Sequence, residues 1–151
     1  MTISTQKRKK VLGEIHNGQM VLSECGKIVD ACIIWLNTKY TYLEVELYCI
    51  MPNHIHLLFK INDDPGRGGS RTAPTGEKRK SLSRIIGVFK TVSTKEINIH
   101  TVSRGNQFWQ RSYYDHVIRN EKDHQLTYDY ILSNPDNWVK DDENPEKQPP
   151  S

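Results

Sequence analysis

The sequence predicts an α+β fold, a split β-α-β antiparallel sheet with helices packed on it. Three observations carry the prediction. The hydrophobic period runs at helical spacing from about Val21, drops to two from Thr41, and becomes helical again after Ser81. A Pro52-Asn53 turn separates two strand-like runs. The resulting order of strand, helix, strand, strand, helix, strand, helix gives each half of the sheet two strands and a helix. At 151 residues, the chain is expected to form one domain.

Met1 to Gln6 is β-prone and reads as the end of a strand, followed by the basic run Lys7-Arg8-Lys9-Lys10. Asn17-Gly18 marks a turn. Ser23 is placed to cap a helix whose first turn holds Glu24, where a carboxylate meets unpaired N–H groups. Val21, Cys25, Ile28, Val29, Cys32 and Leu36 fall at helical spacing, which predicts a helix to about Asn37. Leu43, Val45, Leu47, Cys49 and Met51 then alternate with Glu44, Glu46, Tyr48 and Ile50, the pattern of a half-buried strand, and His54 to Ile61 is its return partner. Residues 63–80 are rich in Gly, Pro, Ser, Arg and Lys and predict a mobile basic loop.

Ser81 can cap a second helix with Leu82, Ile85, Ile86, Phe89 and Val92 on one face. Gly87 inside it costs helix propensity and is expected where a neighbour packs closely. Residues 98–107 read as a connector, and Phe108 to Ile118 as a further strand. Asn120, with Asp123 three residues on, approximates a capping box for a third helix that Pro135 should end. The folded domain is expected over residues 1–138, with Trp138 anchoring the exit and 139–151 as a disordered acidic, Pro-rich tail.

With 36% hydrophobic and 26% charged residues, the composition excludes a disordered chain. No apolar run is long enough for a membrane-spanning helix, and the first residues show no charged-then-apolar leader pattern. Cys25, Cys32 and Cys49 form no CxxC pair, as expected of reduced core thiols in the cytoplasm. The formal charge of +3 understates the basic character of the domain: without residues 141–151 there are 20 basic and 14 acidic side chains. That surplus suits a polyanionic partner.

Met51 to Lys60 is the stretch with chemistry in it. His54 and His56 are two apart on a strand, so both imidazoles leave the same face while Ile55, Leu57 and Phe59 face the other way. Two imidazoles on a rigid strand make half of a metal site. The third helix carries Tyr130 and, at i+4, Asn134, a phenolic and an amide oxygen on one face. His54, His56 and Asn134 would hold a divalent ion with open positions for a phosphoryl oxygen. Tyr130 is a potential oxygen nucleophile whose attack would give a covalent phosphotyrosine, though periodicity alone does not bring this helix to the histidines.

Pro52-Asn53-His54-Ile55-His56, then Phe108 to Asn120, then Tyr130-Ile131-Leu132-Ser133-Asn134-Pro135, with Leu12-Gly13-Glu14-Ile15 upstream, resemble the REP-associated tyrosine transposases of the HUH class. The resemblance covers most of residues 1–138. It implies a ferredoxin-like domain that nicks single-stranded DNA, with hairpin-forming repeats as its partner, and forms a 5′-phosphotyrosine link in the cytoplasm at the nucleoid. It also implies that His54 and His56 are the metal pair, Asn134 the third ligand and Tyr130 the nucleophile, with Mg²⁺ or Mn²⁺ bound. Imidazole ligation favours Mn²⁺. The assembly is expected to be a monomer or a homodimer. Met1-Thr2-Ile3-Ser4-Thr5 matches only the second half of the family's first strand, so an effect on activity more than on fold is expected.

Arg84, Lys90, Arg111 and Arg119 are candidate phosphate contacts on single-stranded DNA, each with an ordinary solvated cation as the alternative. Tyr128, Tyr113 and Tyr114 are rival tyrosines; the pair suits packing or base stacking better than attack. Asp115 and His116, as neighbours on a strand, would face opposite ways and suit structural or DNA-contacting roles, and Trp109 reads as core. Two other functions fit the residues less fully. One is a single-strand-binding protein descended from a transposase and no longer catalytic. The other is a small zinc domain using Cys49 with the two histidines.

Overall fold

The computed structural model describes residues 1–61, 81–102 and 105–140, Lys140 by its backbone alone. The predicted loop at 63–80 and nearly all of the predicted tail fall outside the described residues. The expected split β-α-β fold is present. Strands β1 (Thr2–Ser4), β4 (Leu43–Ile50) and β5 (His54–Ile61) form an antiparallel sheet in the order β1-β5-β4. Helices α1 (Glu24–Lys39) and α2 (Leu82–Thr101) cover one face, and α3 (Glu121–Leu132) meets β4 and β5.

All three predicted N-caps form. The side chains of Ser23, Ser81 and Asn120 accept from the backbone N–H of Gly26, Arg84 and Asp123. Each satisfies a donor the helix cannot pair internally. The core lies between the sheet and the first two helices, where Ile3, Ile55 and Leu57 meet Val29, Ile33, Leu36, Ile85, Ile86 and Phe89, each at most 1% exposed. Trp109 joins this core as expected, its indole N–H donating to Ser93 Oγ at 2.9 Å.

Four local expectations are corrected. Val21 does not belong to α1. It sits in a hairpin, β2 (Gly13–His16) and β3 (Gln19–Leu22), turned by Asn17 (φ 52°) and Gly18 (φ 75°), both in the left-handed region. Helix α2 runs on to Thr101, so the connector is shorter than predicted. Gly87 has no neighbour within 4 Å of an added Cβ, so close packing is not its role.

The fourth correction concerns Phe108 to Ile118, which is not a regular strand. It touches β1 through isolated bridges, Thr5 with Trp109 and Thr2 with Tyr114. The pairs Gln110 N–Ser4 O and Tyr114 N–Thr2 O, both at 2.9 Å, still place it as the outer edge beside β1.

The alternation predicted for β4 also breaks, at one residue. The register runs Val45 with Phe59 and then Leu47 with Leu58, leaving Glu46 as a bulge. A bulge shifts the parity of everything beyond it. Tyr48 and Ile50 therefore pair with Leu57 and Ile55 on the core side, while Cys49 lies opposite His56. Among the described residues no helix is long and apolar enough to cross a membrane.

Candidate active site

The face of β5 opposite the core carries the histidine pair. His54 and His56 are 0% and 6% exposed, and their Nε2 atoms lie 3.1 Å apart. Their rings meet edge to face, with centroids 4.6 Å apart at 79°. Each outer nitrogen is held: His54 Nδ1 lies 2.8 Å from Asn53 Oδ1, and His56 Nδ1 lies 2.9 Å from Thr2 Oγ1. Burial, reinforced by the Arg8 cation, pushes His54 down to about 4, so at neutral pH it is an uncharged imidazole able to act as a ligand.

Helix α3 is fastened over this face mainly by polar contacts, since Ile131 is its one buried residue. Glu46, pushed out by the bulge in β4, meets His124 at 2.9 Å. Near the helix start, His116 Nε2 lies 2.9 and 3.0 Å from the two Asp123 oxygens. Asp123 also accepts from the Arg119 N–H, and it is held below the usual carboxylate range by the His116 hydrogen bond first and Arg119 second. The capping box is thus displaced by one residue: Asp123 reaches Arg119 instead of the cap itself.

Two turns further on, the Tyr130 ring stands 5.5 Å from that of His56 and is 56% exposed. Tyr130 lines a cleft of about 240 Å³ with Thr2, His56, Tyr114, His116 and Leu126.

Asn134 is not on the helix, which ends at Leu132. It lies in the turn beyond, its N–H bonded to Ile131 O at 3.3 Å. Four residues before it Tyr130 faces His56, and four after it Trp138 stacks on His54 with centroids 6.2 Å apart. Asn134 is 2% exposed, and its Nδ2 has no hydrogen-bond partner among the described residues. A buried amide with an open position is a costly arrangement unless something binds there. Rotating the amide presents Oδ1 instead, a hard donor suited to Mg²⁺ or Mn²⁺. Imidazole nitrogens and an amide oxygen are donor types that such an ion accepts. Gly18 supports the same turn: a Cβ there would come within 2.4 Å of Asp136 Oδ1.

The four candidate phosphate contacts are not gathered at this cleft. Lys90 Nζ donates to the Gln110 and Arg111 carbonyls at 2.7 and 3.1 Å and lies over the Tyr113 ring, tying α2 to the outer edge segment. Lys90 and Arg111 line a separate groove between α2 and that segment. Arg119 lines a depression with Glu46, Lys60 and His124, and Arg84 is in the first turn of α2.

Tyr128 leans on His124, away from the pair. Cys49 donates its thiol to Met51 Sδ at 3.7 Å, and no group of three His, Cys, Asp or Glu among the described residues could hold an ion, which leaves the zinc alternative without a donor set. Thr2 and Asn53 were not legible as site residues. Asn53 fits a turn, and Thr2 becomes a partner only through the register that sets it opposite His56.

No family model matches the chain. It is 32% identical over 152 residues to an uncharacterized protein of Haemophilus influenzae, covering 93% of this chain and 81% of that one. A second Haemophilus influenzae protein, provisionally named REP-associated tyrosine transposase, is 30% identical over 61% of this chain. The REP-associated tyrosine transposase of Escherichia coli K12 is 25% identical over 64% of this chain. The matches span 49% and 48% of those two named proteins, about half of each. The solved structure of a REP-associated tyrosine transposase bound to a REP hairpin superposes with a TM-score of 0.63 at 20% identity, over 92% of this chain and 67% of that one, which fixes the fold. The chain is thus related in sequence to REP-associated tyrosine transposases and shares their fold.

Proposed function

We propose that this protein is a metal-dependent nickase and strand transferase of single-stranded DNA, working through a 5′-phosphotyrosine on Tyr130. Relatedness to the transposases supports a transposase-type, DNA-processing role. The observation that carries the finer reading is the placement of the exposed Tyr130 phenol ring 5.5 Å from the ring of His56, one of a buried histidine pair.

His54, His56 and Asn134 would hold Mn²⁺ or Mg²⁺, which when bound supplies Lewis acidity to a phosphoryl oxygen. Trp138, stacked on His54, and Thr2 and Asn53, bonded to the outer imidazole nitrogens, keep the ligands oriented. The tether from Glu46 to His124 holds the helix that carries Tyr130. Tyr130 Oη forms a bond to phosphorus and loses its proton to water. The bond from phosphorus to the 3′ oxygen breaks, and that oxygen leaves as a hydroxyl after taking up a proton. The 5′ end stays on Tyr130, so the energy of the broken phosphodiester is kept for rejoining by an incoming 3′ hydroxyl.

The solved relative bound to a REP hairpin supports a hairpin-forming single strand as partner. The protein would act in the cytoplasm at the nucleoid, as a monomer or homodimer. Labelled single-stranded hairpin DNA with Mn²⁺ should yield a covalent protein–DNA adduct that chelation abolishes and Tyr130→Phe lacks. Salt-sensitive binding with no adduct would instead identify a non-catalytic single-strand binder.

A further inference from the structure

We propose that His116 is the acid that protonates the departing 3′ oxygen, with Asp123 as the residue that positions it. The inference rests on the strand-transfer reading above and deepens it, because that reading leaves the donor of this proton unassigned.

The backbone puts His116 in place. Tyr114 exchanges two backbone bonds with Thr2, at 2.8 and 2.9 Å, and Thr2 pairs with His56 across β1 and β5. Two residues beyond Tyr114, His116 lines the same cleft of about 240 Å³ as Tyr130. Asp123 and Tyr130 are seven residues apart on α3, about two turns, so they share one face of the helix. The imidazole bonded to Asp123 is therefore anchored on the nucleophile's side of α3, roughly 10 Å along the axis from Tyr130 at the level of the backbone. In phosphoryl transfer the attacking and leaving oxygens lie roughly in line. A donor to the leaving oxygen must then come from another wall than the nucleophile, and His116 comes from the outer edge segment.

Its hydrogen bonds decide which nitrogen is offered. His116 Nε2 lies 2.9 and 3.0 Å from the two Asp123 oxygens. The His116 bond above all, with the Arg119 N–H at 3.2 Å, holds that carboxyl below the usual carboxylate range. An ionised carboxylate can only accept, so Nε2 carries a proton and Nδ1 is the nitrogen left for substrate. On the cationic ring Nδ1 bears a hydrogen, and on the neutral ring a lone pair. Asp123 keeps the ring oriented in both states, as an aspartate does for the histidine of a catalytic triad. Thr2, Thr127 and Tyr114 also line the cleft, but they bring hydroxyls, which are far weaker acids than an imidazolium.

The step balances. As Tyr130 Oη bonds to phosphorus, the bond from phosphorus to the 3′ oxygen breaks and its electron pair stays on that oxygen. His116 Nδ1 gives it a proton, leaving a 3′ hydroxyl and a neutral ring, while the Tyr130 proton goes to water. On rejoining, the neutral ring takes the proton of the incoming 3′ hydroxyl.

The test replaces the leaving atom. The cleavage position is first located from the 3′ end that the unaltered protein releases from a single-stranded hairpin with Mn²⁺. A second hairpin then carries sulfur in place of the 3′ bridging oxygen there, because a thiolate leaves without a proton. On ordinary DNA, His116→Gln and His116→Asn should each form adduct about 100-fold or more slowly than the unaltered protein, the usual share of a general acid. On the sulfur-bridged strand both should come within about 10-fold of it. Asp123→Asn should show the same pattern with a smaller defect. Ring ¹⁵N spectra of the ion-free protein, with the His116 signals identified by their loss in His116→Gln, should show the neutral ring protonated at Nε2. Variants that form adduct at the full rate on ordinary DNA, variants equally slow on both strands, or a neutral His116 protonated at Nδ1 would each overturn the acid role while leaving the Tyr130 centre standing. An unaltered protein that forms no adduct on either strand would overturn both.

Discussion

Asn134→Leu separates a ligand from a structural residue. The Asn134 amide is 2% exposed and its Nδ2 is without a partner among the described residues. A buried polar group left unpaired costs about 1–3 kcal/mol. Leucine has a similar reach and no polar atom, so it removes that penalty, offset by overpacking of roughly 1–3 kcal/mol at worst. The ion-free variant should therefore melt within a few degrees of the unaltered protein, at about 2–4 °C per kcal/mol for a chain of this size. With Mn²⁺ at 100 times its dissociation constant, the unaltered protein gains about 2.7 kcal/mol. The variant, short of one of three ligands, should lose most of that gain. Thermal melts with and without Mn²⁺ read both numbers. A variant that is destabilised by several kcal/mol without ion and still shows the full Mn²⁺ shift would refute the ligand role and make Asn134 a packing residue.

Three other outcomes are expected. Glu46→Gln should slow adduct formation while changing unfolding stability by under about 1 kcal/mol, because a half-exposed pair contributes little energy but sets where α3 sits; equal adduct rates would contradict this. Ser93→Ala strands the Trp109 N–H in the core and should cost about 1–3 kcal/mol in urea unfolding, with no change in Mn²⁺ affinity. Tyr48 is pushed up to about 12 by burial first and its bond to Asp30 second, so its stabilising effect is complete below about pH 10 and lost as pH rises towards 12. Tyr48→Phe should flatten that alkaline slope.

What could be read from the sequence is what local chemistry decides. Ser23, Ser81 and Asn120 announce helix starts because a side-chain oxygen and the N–H it serves lie three residues apart. The bounds of β5 follow from the Pro52-Asn53 turn, and the outward pairing of His54 with His56 follows from strand period alone.

What escaped depends on contacts made across the fold. The bulge at Glu46 is set by pairing with β5, and it reverses the faces of Tyr48, Cys49 and Ile50. The β2–β3 hairpin is only four residues a side, and Val21 also fits the helical pattern of α1, so only its Asn17-Gly18 turn stood out. The segment 108–118 has the aromatic composition of a strand but touches β1 at two isolated bridges. Within the site, periodicity sets Tyr130 and Asn134 one turn apart but cannot show that their helix reaches the histidines, a step only the family resemblance supplies. It does not foresee that the helix stops at Leu132, leaving Asn134 in the turn between Tyr130 and Trp138.

We propose that Tyr130 and the histidine pair form one phosphodiester-cleaving centre. Its most direct test is mass spectrometry of the peptide that stays attached to DNA after reaction with a single-stranded hairpin and Mn²⁺. One DNA-linked peptide is expected, modified at Tyr130 and absent when His54 and His56 are both replaced by alanine. Linkage at Tyr128, Tyr113 or Tyr114, or linkage that survives loss of both histidines, would contradict it.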